Sequence, residues 1–518
     1  MKNLPSDILS SHKKIQELQK ENTFLREQLS LTRAKYFGKS SEKRVAEVSD
    51  NQLLLLQEVE DQRKPAAAKE AQTITVPAHQ RKKRSSVEGR LPEGVRFPEH
   101  LERVEEVIDE PGVGELVVDK VSERLCARRS AFYVLRIVRR VRKTPEGKLV
   151  TPPLPTAVIE RTTTDVSFLV STILSKFEWH LPLYRQEQML KAQGISLSRD
   201  TLIRYIISCA SLLKPVYVAL ADALFEGAHL YSDETPVLVG KRKDKLSKKL
   251  TQSYFWGFLG KSGVVFYYTP TRAYKEIEPL IKSYSGHLQV DGYEVYEKLS
   301  YNYPEIVLVG CWAHARRYFI DAEKGGNASD ANKALRFIRA LYRVEARIKK
   351  KSLSPPKSVA IRQRFSKKIL QLFHDWLKTQ STSLQILPKS LFGKAVSYTL
   401  TRWEALCRYT ENAVLTIDSN PIERSIRPIA LGKKNWLFCD SEIGAESAAI
   451  LYSLIASCKM ARVDPWDYLT DVLERISVQP ATKVAELIPE NWKALIDTEN
   501  NLAKITQQEK FSDISNAA

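Results

Sequence analysis

The sequence predicts a multidomain protein of the α+β and α/β classes with a mixed sheet at its centre, and three observations carry that prediction. At 518 residues the chain exceeds one ordinary hydrophobic core. After Gly227, runs rich in β-branched and aromatic residues follow one another: AHLYSDETPVLV, SYFWGFLG, GVVFYYTP, HLQVDG and EIVLVGCW. The first three lie close enough for hairpins, whereas AYKEIEPLIKSY and EVYEKLSY, both helical in period, separate the third, fourth and fifth. Hairpins followed by helix and strand alternation make a sheet with antiparallel and parallel parts.

Residues 1–61 read as a helical region. Ile15, Leu18, Asn22, Leu25, Leu29 and Thr32 alternate by three and four, the a/d seam of a coiled coil in which Asn22 would set the register of a parallel dimer. The seam is shorter than the usual coiled-coil threshold, so an amphipathic helix packed on its own domain fits equally. Residues 62–96 form a basic linker ending near Arg81, Lys82, Lys83 and Arg84, a solvated charge run or a contact to phosphates. In 97–160, GELVVDKVSERL and AFYVLRIVRRVRKT alternate apolar and polar residues and predict a small antiparallel β domain with a basic edge.

Residues 161–226 turn helical. Gly194 separates LPLYRQEQMLKAQG from ISLSRDTLIRYIISCASLL, and Ser198 suits the N-cap of the second helix. The pair is either a helix-turn-helix unit presenting Arg185, Arg199 and Arg204 to DNA or a generic helical hairpin. The strand runs occupy 227–320. A polar helical insertion broken at Pro355 and Pro356 fills 321–410, and the sheet unit resumes in 411–455. A helical C-terminal domain, with a helix after Asp464 and Pro465, covers 456–500, and 501–518 is a polar tail.

Lysine and arginine total 80 against 61 acids, a net charge of +19 and an isoelectric point near 9.4. That balance favours a polyanionic partner, nucleic acid first, although basic charge also serves solubility. No run of about 18 apolar residues suggests a bilayer span, and MKNLPSDILSSHKK lacks the apolar core of a secretory signal. The expectation is a cytoplasmic protein with no membrane partner. The six cysteines (Cys126, Cys209, Cys311, Cys407, Cys439 and Cys458) form no CxxC pair and read as buried thiols.

Asp233 stands at or near the end of the first strand run and Asp291 follows the fourth, so both acids can point from strand ends into one cleft. Metal-dependent phosphoryl transfer needs hard oxygen ligands of this kind, from separate elements. Turn or cap roles beside Thr-Pro and Gly explain the same aspartates. Glu423 lies in IDSNPIERSIRP, where Asn420 suits the N-cap and Pro421 the first helical position, so Glu423 can also close a capping box. His314, Arg316 and Arg317 follow the fifth strand run and can face the same cleft, Arg as a phosphate clamp, or serve packing and solubility. Arg424 and Arg427 begin the helix of Glu423, and Arg427 can equally pair with it. Lys433, Lys434 and Trp436 offer charge and a stacking face to DNA, or a core tryptophan.

Seven stretches share one resemblance: YFGKSSEK (36–43), HLPLYRQE (180–187), YSDETPV (231–237), VDGYEVY (290–296), CWAHARRYF (311–319), IDSNPIERSIRPIALGKKNWLF (417–438) and SCKMARVDPWDYLTDVLERI (457–476). Over nearly its whole length the chain resembles the transposases of the insertion sequence 66 family. The resemblance implies a ribonuclease-H-like catalytic core and a DDE triad of Asp233, Asp291 and Glu423 that holds Mg²⁺ or Mn²⁺, two ions in all, with His314, Arg317, Arg424 and Arg427 as auxiliary groups. It implies DNA as partner, both element terminal repeats and target, with cleavage followed by strand transfer. A homo-oligomer, at least a dimer, and small accessory proteins of the element go with it. A DNA-binding relative that regulates without cutting, or a nuclease that never joins strands, remains open at this point. Many relatives carry paired cysteines resembling a zinc finger in the small β domain. Here only Cys126 lies between Asp109 and Gly147, one sulfur cannot build a four-ligand site, and no zinc is expected. Arg128, Arg129, Arg139, Arg140 and Arg142 are the DNA contacts that domain would retain.

Overall fold

A computed structural model describes residues 97–109, 114–129, 131–160, 162–242, 248–383 and 386–496, with position 498 and helical positions 14, 18, 21, 22, 25, 26, 28, 29 and 32. The basic linker, including residues 81–84, the YFGKSSEK stretch, Ile15 and the tail beyond 500 lie outside the described residues. Leu18, Asn22, Leu25, Leu29 and Thr32 of the heptad seam are helical and exposed.

The first sheet comprises β1 (Arg103–Ile108), β2 (Glu115–Arg128), β3 (Ala131–Lys143) and β4 (Leu149–Val150). It corrects one expectation: the sheet is mixed, because β1 pairs with β3 in parallel while β2 and β4 flank β3 antiparallel. Alternation along each strand is blind to partner direction, which depends on how the chain returns. Its basic edge is tied into the protein. Arg142 and Arg140 pair with Asp109, Arg128 with Glu102, Arg129 with Asp464 and Asp467, and Arg139 donates to the Pro152 carbonyl.

Helices α1 (Val166–Phe177), α2 (Leu183–Ala192) and α3 (Arg199–Phe225) follow. Gly194, at φ +73, makes the turn into α3, and the Ser198 hydroxyl caps α3 by accepting from the Thr201 amide at 3.2 Å. By length and composition α3 is apolar enough to cross a membrane. Its stripe of Leu202, Ile206, Cys209, Leu213, Val216, Leu220 and Leu224 is instead spent on the protein core at helical spacing.

The second sheet holds β5 (His229–Arg242), β6 (Lys248–Leu259), β7 (Val264–Thr269), β8 (Gly286–Gln289) and β9 (Ile306–Val309) in the order β7-β6-β5-β8-β9. Pairings β5–β6 and β6–β7 are antiparallel; β5–β8 and β8–β9 are parallel, with α4 (Tyr274–Ile281) and α5 (Glu294–Asn302) as the crossings. After β9, α6 (Trp312–Lys324) leads into a helical stretch of α7 (Ala328–Lys350), α8 (Pro355–Ile361), a π-helical turn (Arg362–Ser366), α9 (Lys367–Ser381), α10 (Leu391–Thr401) and α11 (Trp403–Cys407). This stretch packs with α6 around its own core of Trp312, Phe319, Phe373 and Phe392. The chain then returns to the sheet as α12 (Asn420–Trp436), α13 (Glu442–Ala461) and α14 (Pro465–Arg475). Helix α13 covers the edge strand β7: the Ser457 and Ser453 hydroxyls accept from the amides of Val264 and Phe266, each at 2.8 Å.

Candidate active site

Strands β5 and β8 remain paired only as far as Tyr231 opposite Gln289. Asp233 and Asp291 each stand two residues beyond that last pair, so equal offsets bring both acids to the place where the parallel part of the sheet opens, the usual position of a ligand crevice in such sheets. Strand alternation turns Ser232 and Glu234 toward Tyr296, whose hydroxyl lies 2.9 Å from Ser232 Oγ and donates to Glu234 Oε2 at 3.2 Å. One oxygen from each of Asp233, Glu234 and Asp291 falls within 4.8 Å of the others. Sequence reasoning missed Glu234; the two adjacent acids of YSDETPV were the only signal available.

Glu423 reaches the same region after the helical stretch, and its route is anchored. Thr416 bonds to Tyr231 and Gln289, at 2.8 and 3.0 Å, and lays the returning chain across the parallel strands. Opposite Asp233 in the ladder stands Gly257, where a Cβ would meet Ile422 Cδ1 at 3.1 Å and the Phe266 ring at 2.9 Å, so the missing side chain lets α12 lie close on the sheet. The expected capping box is corrected. Helix α12 begins at Asn420 with Ser419 as its N-cap, no side-chain cap bond forms, and Pro421 is already inside. Asp418 binds Asn420 instead, through its amide at 3.2 Å and its side chain at 2.8 Å. Glu423 is thereby freed from capping.

Asp233 and Glu423 line one cleft of about 630 Å³ with His314, Arg317, Arg424 and Arg427. Glu423 Oε1 is buried and lacks a hydrogen-bond partner; His314 Nε2 and Arg317 Nη2 approach its carboxylate only to 3.8 Å. Glu423 therefore faces α6, and no Arg427–Glu423 pair forms among the described residues. Burial, then the neighbouring carboxylates Glu234, Asp291 and Glu423, push the Asp233 acid up to about 8. Burial also raises Glu234, against the pull of Arg272, which pairs with it. Burial and Arg317 hold His314 below its usual range, a neutral ring.

The remaining expected contacts scatter. Arg185, Arg199 and Arg204 are exposed along α2 and α3, and Lys434 is exposed on α12. Lys433 is engaged with β5, donating to Thr235 Oγ1 at 3.1 Å and the Pro236 carbonyl at 2.9 Å. Trp436 is half-buried with Lys176 over its ring at 5.5 Å, so its face is already covered in part. Cys126 is buried in the first sheet, which pushes its thiol up to about 12. Asp233, Glu234, Asp291 and Glu423 gather at this crevice, and a carboxylate oxygen of Glu423 sits buried without a hydrogen-bond donor. Hard oxygen ligands in that state suit divalent cations such as Mg²⁺ or Mn²⁺.

The site is a mixed sheet opening onto an acidic crevice rimmed by arginines. Comparison with known proteins narrows this. Residues 161–447 match the transposase IS66 family, residues 453–489 the IS66 C-terminal element, and residues 24–105 the element described as transposase C of IS166 homeodomain. The chain belongs to the IS66 transposase family. Among its relatives are three uncharacterized proteins of Sinorhizobium fredii. One, y4jD, is 31% identical over 70% of this chain and 73% of its own length. Another, y4qI, is 32% identical over 77% of each, and y4hP is 28% identical over 77% of this chain and 76% of its own length. Membership implies DNA as the partner.

Proposed function

We propose that the protein is a DDE transposase that cleaves DNA at the ends of its insertion element and joins the freed ends to target DNA. The sheet order β7-β6-β5-β8-β9, with its antiparallel and parallel halves, supports reading the core as ribonuclease-H-like. The single observation that carries the proposal is Glu423, brought back across 190 residues of sequence from Asp233 to the same cleft, with a buried carboxylate oxygen left without a donor.

Asp233 and Asp291 would hold the cations, Glu423 would complete the site from across the cleft, and Glu234 would stand behind them. A bound pair of cations supplies charge neutralisation at the scissile phosphate and a more nucleophilic attacking hydroxyl. The chain's own groups position the DNA: Arg317, Arg424 and Arg427 line the rim where guanidinium forks fit phosphate oxygens. His314 lines the same cleft, its Nε2 3.8 Å from the Glu423 carboxylate. One site serves both steps, because in-line displacement by water and by a 3′-hydroxyl makes the same demands on alignment. Arg185, Arg199, Arg204 and Lys434 extend the DNA-binding surface, and the exposed Leu18, Leu25 and Leu29 seam pairs two copies. Small accessory proteins of the element complete the assembly.

The test is incubation with an element-end duplex, a target plasmid and Mg²⁺ or Mn²⁺, scored for joined products. Asp233→Ala, Asp291→Ala and Glu423→Ala are each expected to abolish cleavage and joining while end binding persists. Normal joining by Glu423→Ala reassigns the third acid; end binding without cutting by the wild type overturns the enzymatic reading.

A further inference from the structure

The helical stretch between α6 and α12 packs with α6 around an aromatic core that includes none of the acids. Two of its residues nevertheless reach the loop that carries Asp291. The Tyr398 hydroxyl, from α10, donates to the Asp291 carbonyl. Arg402, between α10 and α11, donates to the Gly292 carbonyl at 2.8 Å and pairs with Glu297 at 2.6 Å. Arg402 also lies 4.6 Å over the Tyr398 ring, which stacks at 4.5 Å on Tyr318 of α6. Gly292 holds φ +93, and a Cβ there would collide with Arg402 Nε and meet the Tyr398 hydroxyl at 3.0 Å. The glycine admits both the backbone turn and the arginine. From the sheet side, the Tyr293 amide donates to Asp291 Oδ1 at 2.9 Å.

We infer that Tyr398 and Arg402 are positioning residues: by gripping consecutive carbonyls of the Asp291 loop they hold its carboxylate in the cluster, so that docking of the helical stretch sets the cation affinity of the site. This rests on the metal-binding reading of the acids. Groups that orient a ligand from outside the coordination shell govern affinity because a ligand free to rotate must be ordered by the ion itself.

The experiment is Mn²⁺ titration of the DNA-free, full-length protein, followed by electron paramagnetic resonance. Arg402→Ala is expected to weaken Mn²⁺ binding about 10- to 100-fold. Tyr398→Phe, which removes one hydroxyl from a stacked ring, costs about 5-fold, and Arg402→Lys recovers part of the arginine loss. Ser453→Ala, which unpairs a buried amide at the β7 edge of the sheet, lowers the melting temperature without moving Mn²⁺ affinity. Should Arg402→Ala fail to fold, Tyr398→Phe decides. Folded Arg402→Ala or Tyr398→Phe that binds Mn²⁺ as the wild type does overturns the inference and leaves the site intact. Wild-type protein that binds no Mn²⁺ overturns the metal reading and this inference with it.

Discussion

Asp233 holds its proton to about 8 because it is buried beside other carboxylates, and that has a measurable sign. The unfolded chain loses this proton at about 4, so between the two values the folded protein binds more protons than the unfolded one. Stability of the metal-free protein should therefore fall as pH rises through this window and level off above it. Asp233→Asn should reduce the slope, and Glu234, whose carboxyl burial also raises, accounts for what remains. Added Mn²⁺ should stabilise the wild type more at about pH 8 than at about pH 5, since binding displaces the proton; thermal melts across pH check both. Gly257 gives a second prediction. Gly257→Ala should cost about 1–3 kcal/mol by overpacking against Ile422 and Phe266, and should impair strand cleavage although no acid is altered. Denaturant unfolding and an end-cleavage assay read the two effects. Asp291 was legible as a candidate because it follows an apolar run; Asp233 was expected at or near the end of its strand, but β5 continues to Arg242 and the acid lies inside it, because pairing with β6 extends the strand past the point where β8 leaves. Glu423 looked equally suited to capping, and only the position of the helix start, one residue earlier than expected, releases it.

At the level of elements, the main weakness of the second sheet is its edge. The β7 amides of Val264 and Phe266 have no neighbouring strand, and Ser453 and Ser457 of α13, both fully buried, supply the acceptors. Ser453→Ala and Ser457→Ala should each cost about 1–3 kcal/mol, the penalty of a buried amide left unpaired, with faster hydrogen exchange at those two amides as the specific signature. The strand runs, their two crossing helices and the Ser198 cap were legible because periodicity and capping are local. The parallel placement of β1 and the covering of β7 by α13 were not, since both join segments far apart in sequence, where pattern carries no information about partners.

For the whole molecule, a net charge of +19 predicts strongly salt-dependent DNA binding. If the basic surfaces neutralise several phosphates, end affinity should fall about 10³- to 10⁵-fold between roughly 50 and 200 mM salt; fluorescence anisotropy of a labelled duplex measures the slope. Leu25→Asp in the exposed N-terminal seam should convert a dimer to a monomer by sedimentation and leave the melting of the core unchanged, because that seam contributes nothing to the packed cores among the described residues. The order of acids along the chain bears on synthesis. Asp233 and Asp291 leave the ribosome long before Glu423, which the helical stretch delays. On the proposed function, a nascent or prematurely stopped chain would carry basic surface before it carries the full set of acids, and DNA cutting would await most of translation.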